Sequence, residues 1–324
     1  MISNILISGI HYSLMLNLYN PAYDGLYMAL ITSYLLGIIH GVTPDEHTWP
    51  ITFSYSVGSY SMKGGFRSGL LFSSGFTIQR AILSEIAYLS LAGIFMTSIA
   101  FGITYVAVGA AMAAAGVYIY FRKTNFHIHI ISHYLERLAG MHREHPEQEK
   151  MEEKHTINPV MHEMKPIPPK MAFAHGIIAG FGFGAFALII YTVLAPSMPS
   201  PYIAFLPGML FGLGTMTMQI IFGMAFGSWM GRKKLSKGAI EFVARYISRS
   251  TLVYGGIAFI IAGIFIIFFP GILNYNIITP VYIHNIHNLG IGFFLVIFTV
   301  VVVGVISYFR AMRIATKNRN EFNS

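Results

Sequence analysis

Residues 40–50, His-Gly-Val-Thr-Pro-Asp-Glu-His-Thr-Trp-Pro, place two histidines, an aspartate and a glutamate inside an apolar stretch running from about Leu26 to Val57. Imidazole and carboxylate together are the donors that divalent transition metals take. The chain has no cysteine, which excludes thiolate metal sites, disulfides and thiol redox chemistry. A metal would have to be held through histidine, carboxylate, amide or methionine, and His40, Asp45, Glu46 and His47 are the candidate ligands. Ionisable side chains at membrane depth are rare because hydrocarbon solvates them poorly, so such a knot reads as a site. In one continuous helix His40 and His47 share a face but sit about 10.5 Å apart along the axis. A single ion can take both only if the helix is broken between them. Thr43-Pro44-Asp45-Glu46 has the form of a fresh helix start, with Thr43 as N-cap, Pro44 at the first helical position and Glu46 closing a capping box. The same residues also suit a structural role, in which Glu46 caps, Asp45 complements the helix dipole and Trp49 and Pro50 mark an interface.

Other polar residues lie further along. Gln79 and Arg80 stand within an apolar stretch that also carries Glu85, and an intramembrane arginine needs a partner. Asp45, Glu46 and Glu85 are the candidates. His175 opens a later apolar stretch as Ala174-His-Gly176, echoing Ile39-His-Gly41 and suggesting two related halves. Gly176, Gly180 and Gly184 recur every fourth residue, the small-xxx-small spacing of close helix approach, and Gly208, Gly212 and Gly227 extend it less regularly. No strand precedes these glycines and no Walker lysine follows, which excludes a nucleotide loop. The loop 122–170 carries seven histidines, His127, His129, His133, His142, His145, His155 and His162, among many glutamates. It is suited to capturing or buffering metal beside the membrane.

The elements that must position these groups follow from composition. Of 324 residues, 55% are hydrophobic and only 10% charged, with mean hydropathy +0.61, against roughly 25% charged in a soluble domain. The reading is an all-α polytopic membrane protein of about seven transmembrane helices, the first broken at the knot. The expected spans are about 26–57, 66–91, 98–121, 171–194, 203–230, 250–269 and 289–309, in units 1–121, 122–170 and 171–324. Lys and Arg test the topology, because cytoplasmic loops carry the positive excess. Segments 61–67, 122–170, 231–249 and 310–324 hold two, eight, six and four basic residues; 1–25, 92–97, 195–202 and 270–288 hold none. The two sets alternate, predicting a multi-pass protein of the cell membrane with its N-terminus outside and its C-terminus cytoplasmic. The net charge of +8 follows this alternation instead of lining one patch, so nucleic acid is not an expected partner.

His40-Gly-Val-Thr-Pro-Asp-Glu-His47 resembles the signature of nickel/cobalt transporters (NiCoT/NicO) and their urease-accessory relatives, in which a helix carries His-Ala-x-Asp-Pro/Ala-Asp-His. Leu71-Phe-Ser-Ser-Gly-Phe-Thr77 is similar to the second-span Phe-x-x-Gly-His-Ser/Thr, and 179–185 and 206–219 occupy the places of the third and fourth motifs. His40 and Asp45 carry over. Thr43 replaces the first Asp, Glu46 stands at the expected His, His47 is displaced by one residue, and Phe76 replaces the second-span His. Gly184 stands near an absent Asp, and Gln219 stands in for the fourth motif's acid. The resemblance implies a permease for a divalent cation such as Ni²⁺ or Co²⁺, with Gln219 joining the His/Asp cluster as a candidate ligand; Gln79 and His175 join it as polar residues of the apolar stretches, read from the residues themselves. No ATP-binding motif is present, so a gradient or a partner would drive transport. His-Glu-x-x-His is also lacking, and the chain reads as a carrier and not an enzyme. The alternative is a degenerate relative serving as a membrane subunit or anchor of a larger complex.

Overall fold

The computed structural model describes residues 25–91, 93, 97–120, 168–182, 184–280 and 287–322. The lead-in 1–24 and nearly all of the His-rich loop, including its seven histidines, lie outside these residues.

The described residues are all-α apart from one ribbon of two two-residue strands. Helix α1 (Leu26–Val42) stops where its apolar run meets Thr43-Pro44. A residue before proline is pushed out of the helical region, and Thr43 is extended at φ −74°, ψ 144° while its N–H still closes the last turn onto Ile39. Helix α2 (Trp49–Gly58) then begins with Pro50 in its first turn, where the missing N–H has no helical partner to lose. The break in the first apolar stretch is therefore present, but its boundaries differ from the sequence reading. Residues 43–48 form turns, and the new helix starts at Trp49, not Pro44. The Thr43 hydroxyl bonds back to the His40 carbonyl at 3.3 Å.

Helix α3 (Met62–Tyr88) is capped by Ser61, which accepts from the Gly64 N–H, and α4 is Ser98–Tyr120. Helix α5 (Pro169–Ala179) is followed by a second break at the glycine-dense residues 180–182 and 184; α6 (Ala185–Ile189) resumes and widens into a π-helical turn, Ile190–Leu194. Next come α7 (Leu206–Gly231) and α8 (Lys237–Phe268), the latter capped by Ser236. Helix α8 extends well into the stretch expected to be the loop 231–249. Strands β1 (Ile277–Ile278) and β2 (Asn288–Leu289) pair antiparallel ahead of α9 (Ile291–Val296), which runs through a π-helical stretch into α10 (Gly304–Lys317).

Among the described residues four helical stretches, Ser98–Ile119, Pro201–Gly231, Lys237–Phe268 and Ile291–Lys317, are long and apolar enough to cross a membrane. Their outer faces are apolar: Ile99, Ile103, Ile257, Ile261, Val305 and Phe309 are exposed, while His40, Asp45, His47, Arg80 and Gln219 are buried. That inside-out distribution is the one a hydrocarbon solvent selects.

Helices α3 and α7 form the most extensive packing pair, with α1 laid on α7 and α5 on α3; α4 packs on α8 as a second long pair. Glycine sets these distances. A Cβ at Gly65 or Gly69 of α3 would run into the carbonyls of Gly223 or Gln219 of α7, and one at Gly208 or Gly212 into Arg80 and Thr77 of α3. Backbones approach this closely only where no side chain intervenes.

Candidate functional site

The two breaks meet. A Cβ on Gly182, in the second break, would lie 2.5 Å from the His47 ring in the first, and one on Gly184 would be 3.8 Å from Asp45 Oδ2. Unwound backbone inside a membrane protein is tolerated where it is buried in protein or lines a cavity, and each break serves as the other's cover.

Within the knot, the His47 N–H donates to Asp45 Oδ1 at 3.0 Å, a local turn bond that fixes the carboxylate. Asp45 Oδ2 lies 3.8 Å from His40 Nδ1, and Glu46 Oε1 lies 3.4 Å from His47 Nδ1. Ligand atoms of Asp45, Glu46 and His47 all fall within 4.8 Å of one another. Two ligands bonded to one ion at about 2.1 Å with a tetrahedral angle stand roughly 3.4 Å apart, so the three groups would draw in by up to roughly 1.4 Å to share a divalent cation. Neither nitrogen of His40 nor Nε2 of His47 has a hydrogen-bond partner among the described residues. Buried polar groups are normally satisfied, so imidazole lone pairs here are donors still to be used.

The remaining walls are specific. His40 is ringed by Phe211, stacked Phe76 and Phe186, with ring centroids 5.0, 5.9 and 6.2 Å away. The Tyr105 hydroxyl donates to Glu46 Oε1 at 2.8 Å, and the Tyr105 ring edge meets His47. Glu46 therefore closes no capping box; its carboxylate is held by α4 and rests against Gly292, in the first turn of α9. The carbonyl of Gly41 accepts from Trp49 Nε1 at 3.3 Å and from Gln219 Nε2 at 3.4 Å. Gln219 thus joins the knot's edge, with its own Oε1 unpartnered among the described residues. Gln79 is buried against Gly180 at the second break, with both amide atoms unpartnered in the same sense.

Two expectations are corrected. His175 does not join the cluster; its Nδ1 pairs with the Tyr55 hydroxyl at 2.6 Å, because α5 packs on α3 and presents His175 to α2 instead of to the knot. Arg80 has no carboxylate within ion-pair distance among the described residues. Its Nη1 donates to the Tyr191 hydroxyl at 3.1 Å and its Nη2 to the Gly182 carbonyl at 2.8 Å. The guanidinium lies 4.5 Å from the Phe76 ring centroid and 5.5 Å from that of Phe211. Neutral dipoles and aromatic faces hold this charge, and one of those dipoles is a carbonyl of the second break. Tyr55, Tyr105, Tyr191 and Gly182 were not found by sequence reasoning. A tyrosine inside an apolar stretch is a weak signal, and nothing local identifies its partner.

Arg80 lies against Phe76 and Phe211, two of the rings around His40, and bonds the carbonyl of Gly182, the residue packed on the His47 ring, so it adds a positive charge beside the donors. A divalent cation about 10 Å from a unit positive charge at an effective dielectric of about 20 is repelled by roughly 3.3 kcal/mol, so Arg80→Gln is expected to tighten divalent-cation binding by about tenfold or more. Isothermal titration of the purified variant with Ni²⁺ checks it; unchanged or weaker binding would show that the guanidinium only supports packing.

Compared with known proteins, the chain matches no family model, no curated protein and no solved structure.

Proposed function

We propose that this chain is a membrane carrier for a divalent transition-metal cation, of nickel/cobalt-transporter type, with the cation held by His40, Asp45 and His47 and assisted by Glu46. The observation that carries the reading is the cluster of Asp45, Glu46 and His47, with His40 3.8 Å from Asp45 at its edge, where two broken helices face each other. Carriers place substrate at such discontinuities, because unwound backbone and half-helix ends supply polar groups at membrane depth. Gln219 and Gln79 serve as amide neighbours of the cluster, and His175 lies outside it.

In this reading the segments α1–α2, α3, α4, α5–α6, α7, α8 and α9–α10 are seven crossings, with the N-terminus outside and the C-terminus cytoplasmic. The alternation of basic and uncharged connections supports it. The packing supports an internal repeat: exchanging α1–α2 with α5–α6, α3 with α7 and α4 with α8 maps α1-on-α7 onto α5-on-α3, and each long pair onto itself. Three crossings per half make the halves inverted.

The test is transport by the full chain in proteoliposomes. Saturable uptake of Ni²⁺ or Co²⁺, with Mg²⁺ and Ca²⁺ failing to compete, is the expected result, because imidazole donors favour transition metals over hard cations. A protein that neither binds nor moves any first-row divalent ion would leave the membrane-anchor alternative in its place.

A further inference from the structure

Immediately after His47, residues Thr48, Thr52 and Ser56 recur every fourth position, on one face of α2 and its first turn. All three are fully buried, and none of their hydroxyl oxygens has a hydrogen-bond partner among the described residues. Hydroxyls in helices ordinarily bond back to the carbonyl four residues earlier, as Ser33, Ser54 and Ser74 do here at 2.6–2.7 Å. The three ladder residues are turned away from that bond. At 100° per residue, their face lies between that of Tyr55, which meets His175 of α5, and those of Trp49 and Phe53, which meet Phe222 and Phe226 of α7. The ladder therefore runs along the seam between α5 and α7, where α3 lies packed on both. At its far end a Cβ on Gly223 of α7 would stand 3.1 Å from Ser56 Oγ. Two residues beyond Ser56 helix α2 gives way to the turn at Ser59–Ser61, where Ser61 is exposed.

We infer that this ladder is the route by which the cation and its water move between the knot and the α2–α3 turn, an inference that rests on the knot being the cation site. From Thr48 to Ser56 the rungs cover about 12 Å of helix, the distance from the buried cluster to the turn. Each hydroxyl offers lone pairs to a partly hydrated cation and a proton to a water, with no net charge to trap the ion. Conduction requires several weak, similar stations, and a charged or imidazole rung would be a second binding site instead. Unpaired buried hydroxyls are costly, and three in register on one face are explained when a polar species occupies the seam. Ile51, equally buried on another face of α2, borders an apolar cluster.

Because the native chain has no cysteine, single Thr52→Cys, Ser56→Cys and Ile51→Cys variants can be probed in membranes with a small cationic methanethiosulfonate reagent. Thr52→Cys and Ser56→Cys should react at least about tenfold faster than Ile51→Cys, with Ni²⁺ slowing the reaction, if the seam is a water-filled ion route. Isosteric Thr52→Val should lower Ni²⁺ flux in proteoliposomes about tenfold while equilibrium Ni²⁺ binding stays within about twofold. Equal inertness of Thr52→Cys and Ile51→Cys would overturn the route, as would native flux in Thr52→Val or a parallel loss of binding and flux. A native protein that binds no Ni²⁺ while Thr52→Cys still reacts would sink the cation reading alone and leave a water file.

Discussion

Replacing His40 with alanine is expected to abolish specific divalent-metal binding, lowering affinity by more than about 100-fold, since losing even an outer-shell partner of a ligand typically costs 10–100-fold. His40 sits at the end of α1 with both ring nitrogens unpartnered among the described residues and Asp45 Oδ2 3.8 Å away. Phe76, Phe186 and Phe211 surround its ring, and no apolar neighbour can replace a bond of about 2.0–2.1 Å from imidazole to a metal. Alanine leaves an apolar-lined void, which lowers stability without removing another group's hydrogen bond. The discriminating comparison is Glu46→Gln, which retains an acceptor for the Tyr105 hydroxyl at the same point. Metal content of purified proteins, measured by mass spectrometry, should fall steeply for His40→Ala and modestly for Glu46→Gln. Stoichiometric metal in a folded double variant, His40→Ala with His47→Ala, would reject the site.

The second large effect concerns folding. Gly176→Ala is expected to prevent the protein from reaching a stable, monodisperse state in detergent. The added Cβ would be driven into the Phe72 carbonyl and the backbone N of Phe76 on α3, and neither can rotate away as a side chain could. Overpacking a core commonly costs roughly 1–3 kcal/mol, and more where backbone must shift. Helix α5 would have to move off α3, carrying the second break away from the knot. Gly271→Ala provides the control, since a Cβ there meets nothing within 4 Å. Size-exclusion profiles and thermal unfolding of the two variants should separate clearly. Equal behaviour would mean that the α3–α5 contact is more compliant than its glycine spacing implies.

Both experiments probe the same arrangement at different levels. The knot supplies donors, but Gly176 and the glycines of the α3–α7 pair bring the backbones close enough for the breaks to meet. Arg80 then couples the parts, reaching from α3 to the Gly182 carbonyl and placing positive charge beside the donors.

Much of this was legible in the chain itself. Apolar run length and the near absence of charge specify long helices, because each backbone group in hydrocarbon must be bonded within its own segment. Thr43-Pro44 favours a break by local sterics, although the helix restarts at Trp49 and not at Pro44. The four-residue glycine spacing foretold close approach through Gly176; Gly180 and Gly184 turned out to form the second break itself. What the sequence could not express is which distant groups meet. Arg80 has three carboxylates as plausible partners in the chain, yet tertiary packing gives it a tyrosine hydroxyl, a freed carbonyl and aromatic faces. Likewise His175 repeats the His-Gly pair of His40 but is delivered to Tyr55. Local sterics and hydrogen-bonding needs act over a few residues and are written in order along the chain. The partners of a buried charge are chosen by the joint packing of helices over a hundred residues apart, and that choice exists only in the folded bundle.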